Sequence, residues 1–248
     1  MQRPARLVIL VLTLALACVP RLAAAQTTVD LQLVLAIDVS GSVDGVEGAL
    51  QRQGYIDAFK DPTVISAIAA GQLGRIGVTY FEWAHDGYTT TIVDWMLLGG
   101  AADAKELATK LEQTPFTSAR WTSISGAIDY GVGRLAVSPF AGGRKVIDIS
   151  GDGYNNRGRP VNMARDEAVA AGITINGLPI VNNRPSSWGG PPAIDLDIYY
   201  ETSVIGGPGA FVIVAQSFED FATAIRAKLI REIAGAGHPA GKQLAGQQ

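Results

Sequence analysis

The stretch that decides the fold is LQLVLAI at residues 31–37, and DVSGS at residues 38–42 follows it directly. A near-continuous apolar run of this length is typical of a central strand that is covered on both faces. Further strand-like runs occur at residues 145–150 (KVIDIS), 173–181 and 211–215, with helical spacing between them. Strands that alternate with helices predict an α/β fold. We expect a doubly wound, Rossmann-like, mostly parallel sheet with helices on both faces.

Two β-rich runs interrupt this alternation and predict an antiparallel edge. They are RIGVTYFEW at residues 75–83 and TTTIVDWMLL at 89–98, and the turn-rich residues 85–87 (HDG) separate them. Helical spacing predicts helices at residues 44–59, 101–113, 123–135, 161–171 and in the last part of the chain. We expect Ser217 to cap the last helix, with Asp220 at the capping-box position.

The first 25 residues have the pattern of a secretory signal peptide. Arg3 and Arg6 precede an apolar run over residues 7–19, and Ala23 to Ala25 provide a cleavage site of small residues. The apolar run is short for a membrane span, and the alternatives are an uncleaved anchor and, with less support, a lipoprotein signal at Cys18. We therefore predict a secreted or periplasmic protein with no membrane span after cleavage near Ala25. We expect one domain over residues 28–234 and a flexible tail over 235–248.

Composition excludes several classes of function. The formal net charge is -3 and no basic stripe is present, so nucleic acid is not an expected partner. One Cys and two His argue against a zinc site built from Cys and His ligands. No sequence feature sets the oligomeric state.

Oxygen-bearing side chains gather where two of the predicted strands end. Asp38, Ser40 and Ser42 follow the first strand at alternate positions, Asp152 follows the strand at 145–150, and Thr122 precedes a helix. Ligand sites in such sheets lie at the carboxyl ends of the strands. A set of two carboxylates and three hydroxyls, without nitrogen or sulfur, suits Mg²⁺, Ca²⁺ or Mn²⁺. It would leave one coordination position for an acidic side chain of a partner protein.

The same residues carry a resemblance to the von Willebrand factor type A (vWA) family. Residues 38–42 match its D-x-S-x-S motif, and Thr122 and Asp152 fit its second and third motifs in order and spacing. The resemblance, which is greatest to small exported bacterial members, implies a metal-ion-dependent adhesion site (MIDAS). Such a site binds an Asp or Glu of a protein ligand through the cation, with Mg²⁺ as the first expectation here. One departure is Gly151, since the family's third motif usually reads T-D-G and this chain has S-G-D-G at 150–153.

Two segments beside the predicted site are candidates for a partner surface. Tyr154 and Asn155 follow Asp152 directly, although Asn-rich turns are often only turns. Residues 182–192 (NNRPSSWGGPP) would present Arg184 and Trp188, residue types that are common in interface hot spots. A solvated crossover loop is an equally good interpretation of this second segment.

Other interpretations of these residues remain open at this point. Asp38 and Ser40 could cap the following helix. Ser40 or Ser42 could be the nucleophile of an exported hydrolase with a histidine base, either His85 or His238, although we do not expect an enzyme. The chain could also be a metal-free structural scaffold. Asp148 shares a strand face with Asp152 but is too far down the strand for the same ion. We expect it to be a buried carboxylate that a neighbour satisfies.

Overall fold

The computed structural model describes residues 26–181 and 193–235. The predicted signal peptide (1–25), most of the predicted tail and the Arg184–Trp188 segment lie outside these residues. No helix of the described part is long and apolar enough to cross a membrane.

A five-stranded sheet forms the centre of the fold, in the order β4-β3-β2-β6-β7. All neighbouring pairs are parallel except β3 with β4, which form the predicted antiparallel edge hairpin. Two short strands, β1 and β5, pair separately in parallel. The strands are β1 Thr27–Thr28, β2 Leu31–Asp38, β3 Ile76–Trp83, β4 Thr89–Leu98, β5 Phe140–Ala141, β6 Arg144–Gly151 and β7 Thr174–Pro179.

Helices cover both faces of this sheet, as predicted. They are α1 Gly45–Lys60, α2 Pro62–Ala69, α3 Ala101–Glu112, α4 Ile124–Ala136, α5 Val161–Ala170, α6 Leu196–Tyr199, which continues as a π-helical turn over Tyr200–Val204, and α7 Phe221–Ala234. Every residue of β2 is buried, and its side chains alternate between two apolar clusters. Leu33 and Leu35 pack with α1, α3 and α7, whereas Val34 and Ala36 pack with α4 and α5. The expected doubly wound α/β fold is thereby confirmed.

Two local predictions were wrong. Residues 211–215 run parallel to β7 and exchange hydrogen bonds with it, but only as isolated bridges, so this edge is irregular. The last helix begins at Phe221 with Asp220 as its N-cap residue, and Ser217 Oγ accepts a hydrogen bond from Asp220 N one turn earlier. The predicted cap is therefore displaced by three residues, although Phe221 and the apolar stripe after it are buried as expected.

Candidate metal centre

The candidate site lies where the strand order of the sheet reverses. From β2 the chain continues outward through β3 and β4, and it returns to the other side of β2 with β6 and β7. The carboxyl ends of β2 and β6 are therefore adjacent at the switch point, which is the preferred ligand position in open α/β sheets. Asp38 ends β2, and Asp152 directly follows β6.

In the loop after β2, the Asp38 side chain binds a backbone N–H of the loop itself. Asp38 does not cap the helix that follows. Asp38 Oδ1 accepts a hydrogen bond from Ser40 N at 2.6 Å. Asp44 caps α1 instead, since its carboxylate accepts from Val46 N and Glu47 N while Glu47 Oε2 accepts from Asp44 N. The helix-cap interpretation of Asp38 and Ser40 is therefore wrong.

The structure brings four of the five predicted side chains into one hydrogen-bonded chain. Ser42 Oγ donates to Asp152 Oδ1 at 2.5 Å and lies 3.1 Å from Ser40 Oγ. Thr122 Oγ1 donates to Ser40 Oγ at 3.2 Å. Asp38, the fifth, is tied to the same loop through Ser40 N. Three separate segments thus converge on one position.

The two carboxylates of this cluster are buried, and burial raises the pKa of both. Burial first, and the nearby charge of Asp152 second, raise the pKa of Asp38 well above its usual value. Burial raises the pKa of Asp152 to about 6, against the hydrogen bond from Ser42. Asp38 is fully buried, yet its Oδ2 has no hydrogen-bond partner in the described part of the chain. A buried carboxylate oxygen without a partner is costly, and a bound cation would remove that cost.

The donor set fits a hard divalent cation. Carboxylate and hydroxyl oxygens suit Mg²⁺, Ca²⁺ and Mn²⁺. In the described residues, no group of three or more His, Cys, Asp or Glu side chains could hold a metal ion. The arrangement here differs from such a group because three of its five donors are hydroxyls.

Two asparagines after Asp152 connect the loops of the site, a role that the sequence did not indicate. Asn156 Oδ1 accepts a hydrogen bond from Thr122 N at 2.8 Å, and Asn156 N donates to Thr122 O at 2.9 Å. Asn155 Oδ1 accepts from Ser125 N, and its amide nitrogen donates to Arg159 O. These contacts fix the position of Thr122 relative to Asp152.

The space behind the site explains the glycine that departs from the family motif. A β-carbon on Gly151 would lie 2.7 Å from Asp38 Oδ2 and 3.0 Å from the Tyr200 hydroxyl. Tyr200 is fully buried, and burial together with the charges of Asp38 and Asp152 raises the pKa of its hydroxyl far above normal. Its ring therefore fills space that a larger residue at position 151 would need. Sequence reasoning missed Tyr200 because nothing near it in the chain marks it.

The candidate partner residues have different surroundings. Tyr154 is exposed, packs edge-on against Tyr199 with ring centroids 4.9 Å apart, and donates a hydrogen bond to Ile194 O. The Asn155 side chain is engaged inside the loop. Arg184 and Trp188 lie outside the described residues, so their role stays a prediction.

Trp121, which directly precedes Thr122, lies at the surface. Its side chain is 47% exposed and its backbone has a φ of +68°. The guanidinium carbons of Arg120 and Arg157 lie 5.6 and 4.8 Å from the centroid of its ring. Trp121 therefore contributes to the rim of the site and not to the core.

Asp148 forms a separate buried cluster below the site. Lys228 Nζ lies 2.5 Å from both Asp148 Oδ1 and Glu232 Oε1, and the lysine and both carboxylates are fully buried. Lys228 pairs with Asp148 by charge, as expected of a neighbour, although neither carboxylate oxygen of Asp148 has a hydrogen-bond partner in the described part of the chain. Burial, and next the charge of Glu232, still raise the pKa of Asp148 to about 7 despite Lys228.

Solved structures with similar folds support the resemblance. A von Willebrand factor type A structure from Catenulispora acidiphila matches with a TM-score of 0.55 and 12% identity, over 83% of this chain and 43% of that one. The pilus adhesin SpaC from Lactobacillus rhamnosus GG matches at 0.58 and 15%, over 85% and 30%. Proximal thread matrix protein 1 from the mussel byssus, in a structure described as having a "zinc occupied MIDAS motif", matches at 0.55 and 13%, over 84% and 46%.

This chain thus spans less than half the length of each of these proteins, and at such identities the likeness shows the fold alone. A search of curated protein sequences found no significant match. Residues 28–237 match the family described as "Protein of unknown function (DUF1194)". The chain therefore belongs to the DUF1194 family, and its fold is that of a von Willebrand factor type A domain.

Proposed function

We propose that this protein is an exported vWA domain that binds an acidic side chain of a partner protein through a divalent cation. Asp38, Ser40, Ser42, Thr122 and Asp152 would hold the cation. The observation that carries the proposal is their convergence at the switch point, together with the buried, unpartnered Oδ2 of Asp38.

Charge and donor type favour Mg²⁺ as the ion, with Ca²⁺ and Mn²⁺ as alternatives. Two carboxylates balance the charge of one divalent ion, while the three hydroxyls are neutral donors. Zinc occupies the MIDAS motif of the mussel protein. Zinc sites in proteins more often use nitrogen and sulfur ligands, neither of which this cluster contains.

A bound cation supplies a Lewis-acidic position at the rim of the sheet. A small set of protein ligands leaves part of the coordination shell to water or to an incoming carboxylate. An Asp or Glu of a partner protein would occupy that position. Trp121, which precedes Thr122, and Tyr154, which follows Asp152 by two residues, would contact the rest of the partner. The similarity in fold to a pilus adhesin and a byssus matrix protein is consistent with protein binding.

The signal-peptide pattern of residues 1–25 supports export. This segment lies outside the described residues, so secretion or a periplasmic location rests on the sequence pattern.

An exported hydrolase has less support than a binding domain. The Ser40 hydroxyl lies within hydrogen-bond distance of Ser42 Oγ and Thr122 Oγ1, and Ser42 Oγ donates to a carboxylate. His85 Nδ1 accepts a hydrogen bond from Gly87 N in its own turn, and His238 lies outside the described residues. In the described part of the chain, no contact favours a nucleophilic serine.

Thermal melting with and without Mg²⁺ tests the proposal. At a Mg²⁺ concentration 100 times Kd, linkage stabilises the protein by about 2.7 kcal/mol, which raises Tm by roughly 5–10 °C for a domain of this size. Asp38→Ala should abolish the shift. Asp57→Ala, which removes an exposed carboxylate on the same helix that follows the loop, should keep it. A metal-free scaffold predicts no shift in any of the three proteins.

A further inference from the structure

The rim residue Trp121 has a conformation that its size does not favour. Its backbone has a positive φ, which is uncommon for any residue except glycine and strained for a bulky one. The hydrogen bonds that Thr122 makes with Asn156, together with one from Arg157 N to Thr122 O, hold this backbone in place. The indole is turned toward solvent next to a proposed metal ligand, although burial would be more favourable for so large an apolar ring.

Arg157 packs on this indole and keeps its hydrogen-bonding capacity. Its guanidinium carbon lies 4.8 Å from the ring centroid. Stacking uses the flat face of a guanidinium, whereas its N–H donors point outward in the plane of the group. Within residues 26–181 and 193–235, Arg157 has no ion pair with a carboxylate. As far as the described residues show, the donors of Arg157 are open to a carboxylate that arrives from outside.

The backbone places Arg157 beside a proposed metal ligand. Arg157 N donates a hydrogen bond to Thr122 O at 3.1 Å, so the Arg157 side chain starts next to Thr122 and its guanidinium lies within one arginine side chain's length of that residue. Alternate side chains of an extended peptide lie on the same face, about 6.6–7 Å apart. A second acidic residue two or three positions from the metal-bound one would therefore reach Arg157.

We propose that the partner segment is an extended acidic one with two carboxylates. The first would bind the cation, and the second would form a bidentate pair with Arg157 on the Trp121 platform. This inference rests on the proposed function and specifies the chemistry of the ligand. Arginine suits the role because its fork matches the two oxygens of a carboxylate.

Synthetic peptides displayed on a biosensor surface test the inference in the presence of Mg²⁺. The peptides have the sequences GGDGDGG and GGDGNGG, which differ in one charge at the second acidic position. The wild-type protein should bind the first about tenfold more tightly, the usual contribution of one charged hydrogen-bonded pair. Arg157→Gln should bring the ratio to about one, and Arg157→Lys should leave an intermediate ratio because a lysine cannot pair with both oxygens.

A charge-matched control separates local recognition from general attraction. Arg226→Gln removes an exposed arginine that pairs with Asp61, at the opposite end of α1 from the site. It should leave the ratio unchanged. Equal binding of the two peptides by the wild type, no binding of either peptide, or an equal effect of Arg226→Gln would each overturn the inference.

Calorimetric titration with Mg²⁺ in the absence of peptide measures metal binding by itself. It therefore distinguishes failure of the two-carboxylate inference from failure of the proposed function. Arg157→Gln should bind Mg²⁺ like the wild type, because Arg157 is outside the proposed ligand set. If the wild type binds Mg²⁺ but does not discriminate between the two peptides, only the two-carboxylate ligand is refuted. Absence of Mg²⁺ binding by the wild type would refute both proposals.

Discussion

Replacing Gly151 with alanine should damage the metal site without touching any proposed ligand. Gly151 ends β6 and has no positive φ, so an alanine fits the backbone, and the conflict is steric alone. The new β-carbon would lie 2.7 Å from Asp38 Oδ2 and 3.0 Å from the Tyr200 hydroxyl. Neither neighbour can move freely, because both are fully buried.

The size of the effect follows from this overlap. Carbon and oxygen atoms need about 3.4 Å or more, so Asp38 Oδ2 or the strand end must shift by about 0.7 Å. Overpacking of a filled interior costs about 1–3 kcal/mol of stability. Mg²⁺ requires near-ideal octahedral geometry, so a displaced carboxylate should also weaken Mg²⁺ binding about tenfold or more.

Isothermal titration calorimetry with Mg²⁺ measures this prediction, and Gly153→Ala is the matched control. A β-carbon on Gly153 would lie 3.5 Å from Thr122 Oγ1, an ordinary contact. Its Mg²⁺ affinity should stay within about threefold of the wild type. Wild-type affinity in Gly151→Ala, or an equal loss in both variants, would refute the reasoning about Asp38.

Three further predictions concern the loops, the buried charges and the first helix. Asn156→Ala removes the acceptor of Thr122 N, so it should weaken Mg²⁺ binding severalfold in calorimetry, whereas an unchanged Kd would mean that Asn156 does not position the site. Burial raises the pKa of Asp148 to about 7, so the folded state binds a proton more tightly than the unfolded state does. The free energy of unfolding should therefore fall by on the order of 3 kcal/mol as the pH rises from about 4 to about 7. Urea unfolding at both ends of that range should show a smaller fall in Asp148→Asn than in the wild type, and the fall that remains comes from Asp38 and Asp152, whose pKa values are also raised. Equal falls in the two proteins would exclude Asp148 as a source. Asp44→Ala should lower the free energy of unfolding by about 1 kcal/mol in the same assay, through loss of the capping box, and no change would contradict that role.

The order of strands and helices could be predicted because strands buried on both faces leave a strong local signal. The run at 31–37 and the hairpin around residues 85–87 are examples, and both elements form where expected. The segment at 211–215 has the same composition but forms only isolated bridges with β7, because pairing at a sheet edge depends on the neighbouring strand and not on composition. Ser217 resembles a helix cap, yet the helix begins at Phe221.

Four of the five proposed ligands could be proposed from sequence because they lie where β2 and β6 end at the same edge of the sheet, and Thr122 lies just before α4. The residues that support them could not. Tyr200 contacts the site from a π-helical turn that no local pattern marks, and Asn156 acts through backbone groups of a loop more than thirty residues away in the chain. A glycine is needed at position 151 because the Tyr200 hydroxyl and Asp38 Oδ2 lie where a β-carbon would be, and the sequence does not show that these groups are close together.

Diffraction from a crystal grown with Mn²⁺, recorded at a wavelength where manganese scatters anomalously, tests the central claim most directly. The account predicts one strong anomalous peak within about 2.0–2.6 Å of oxygen atoms from both DVSGS and Asp152, with Thr122 coordinated directly or through one water. A well-ordered site without a peak, or a peak that these three segments do not share, would contradict it.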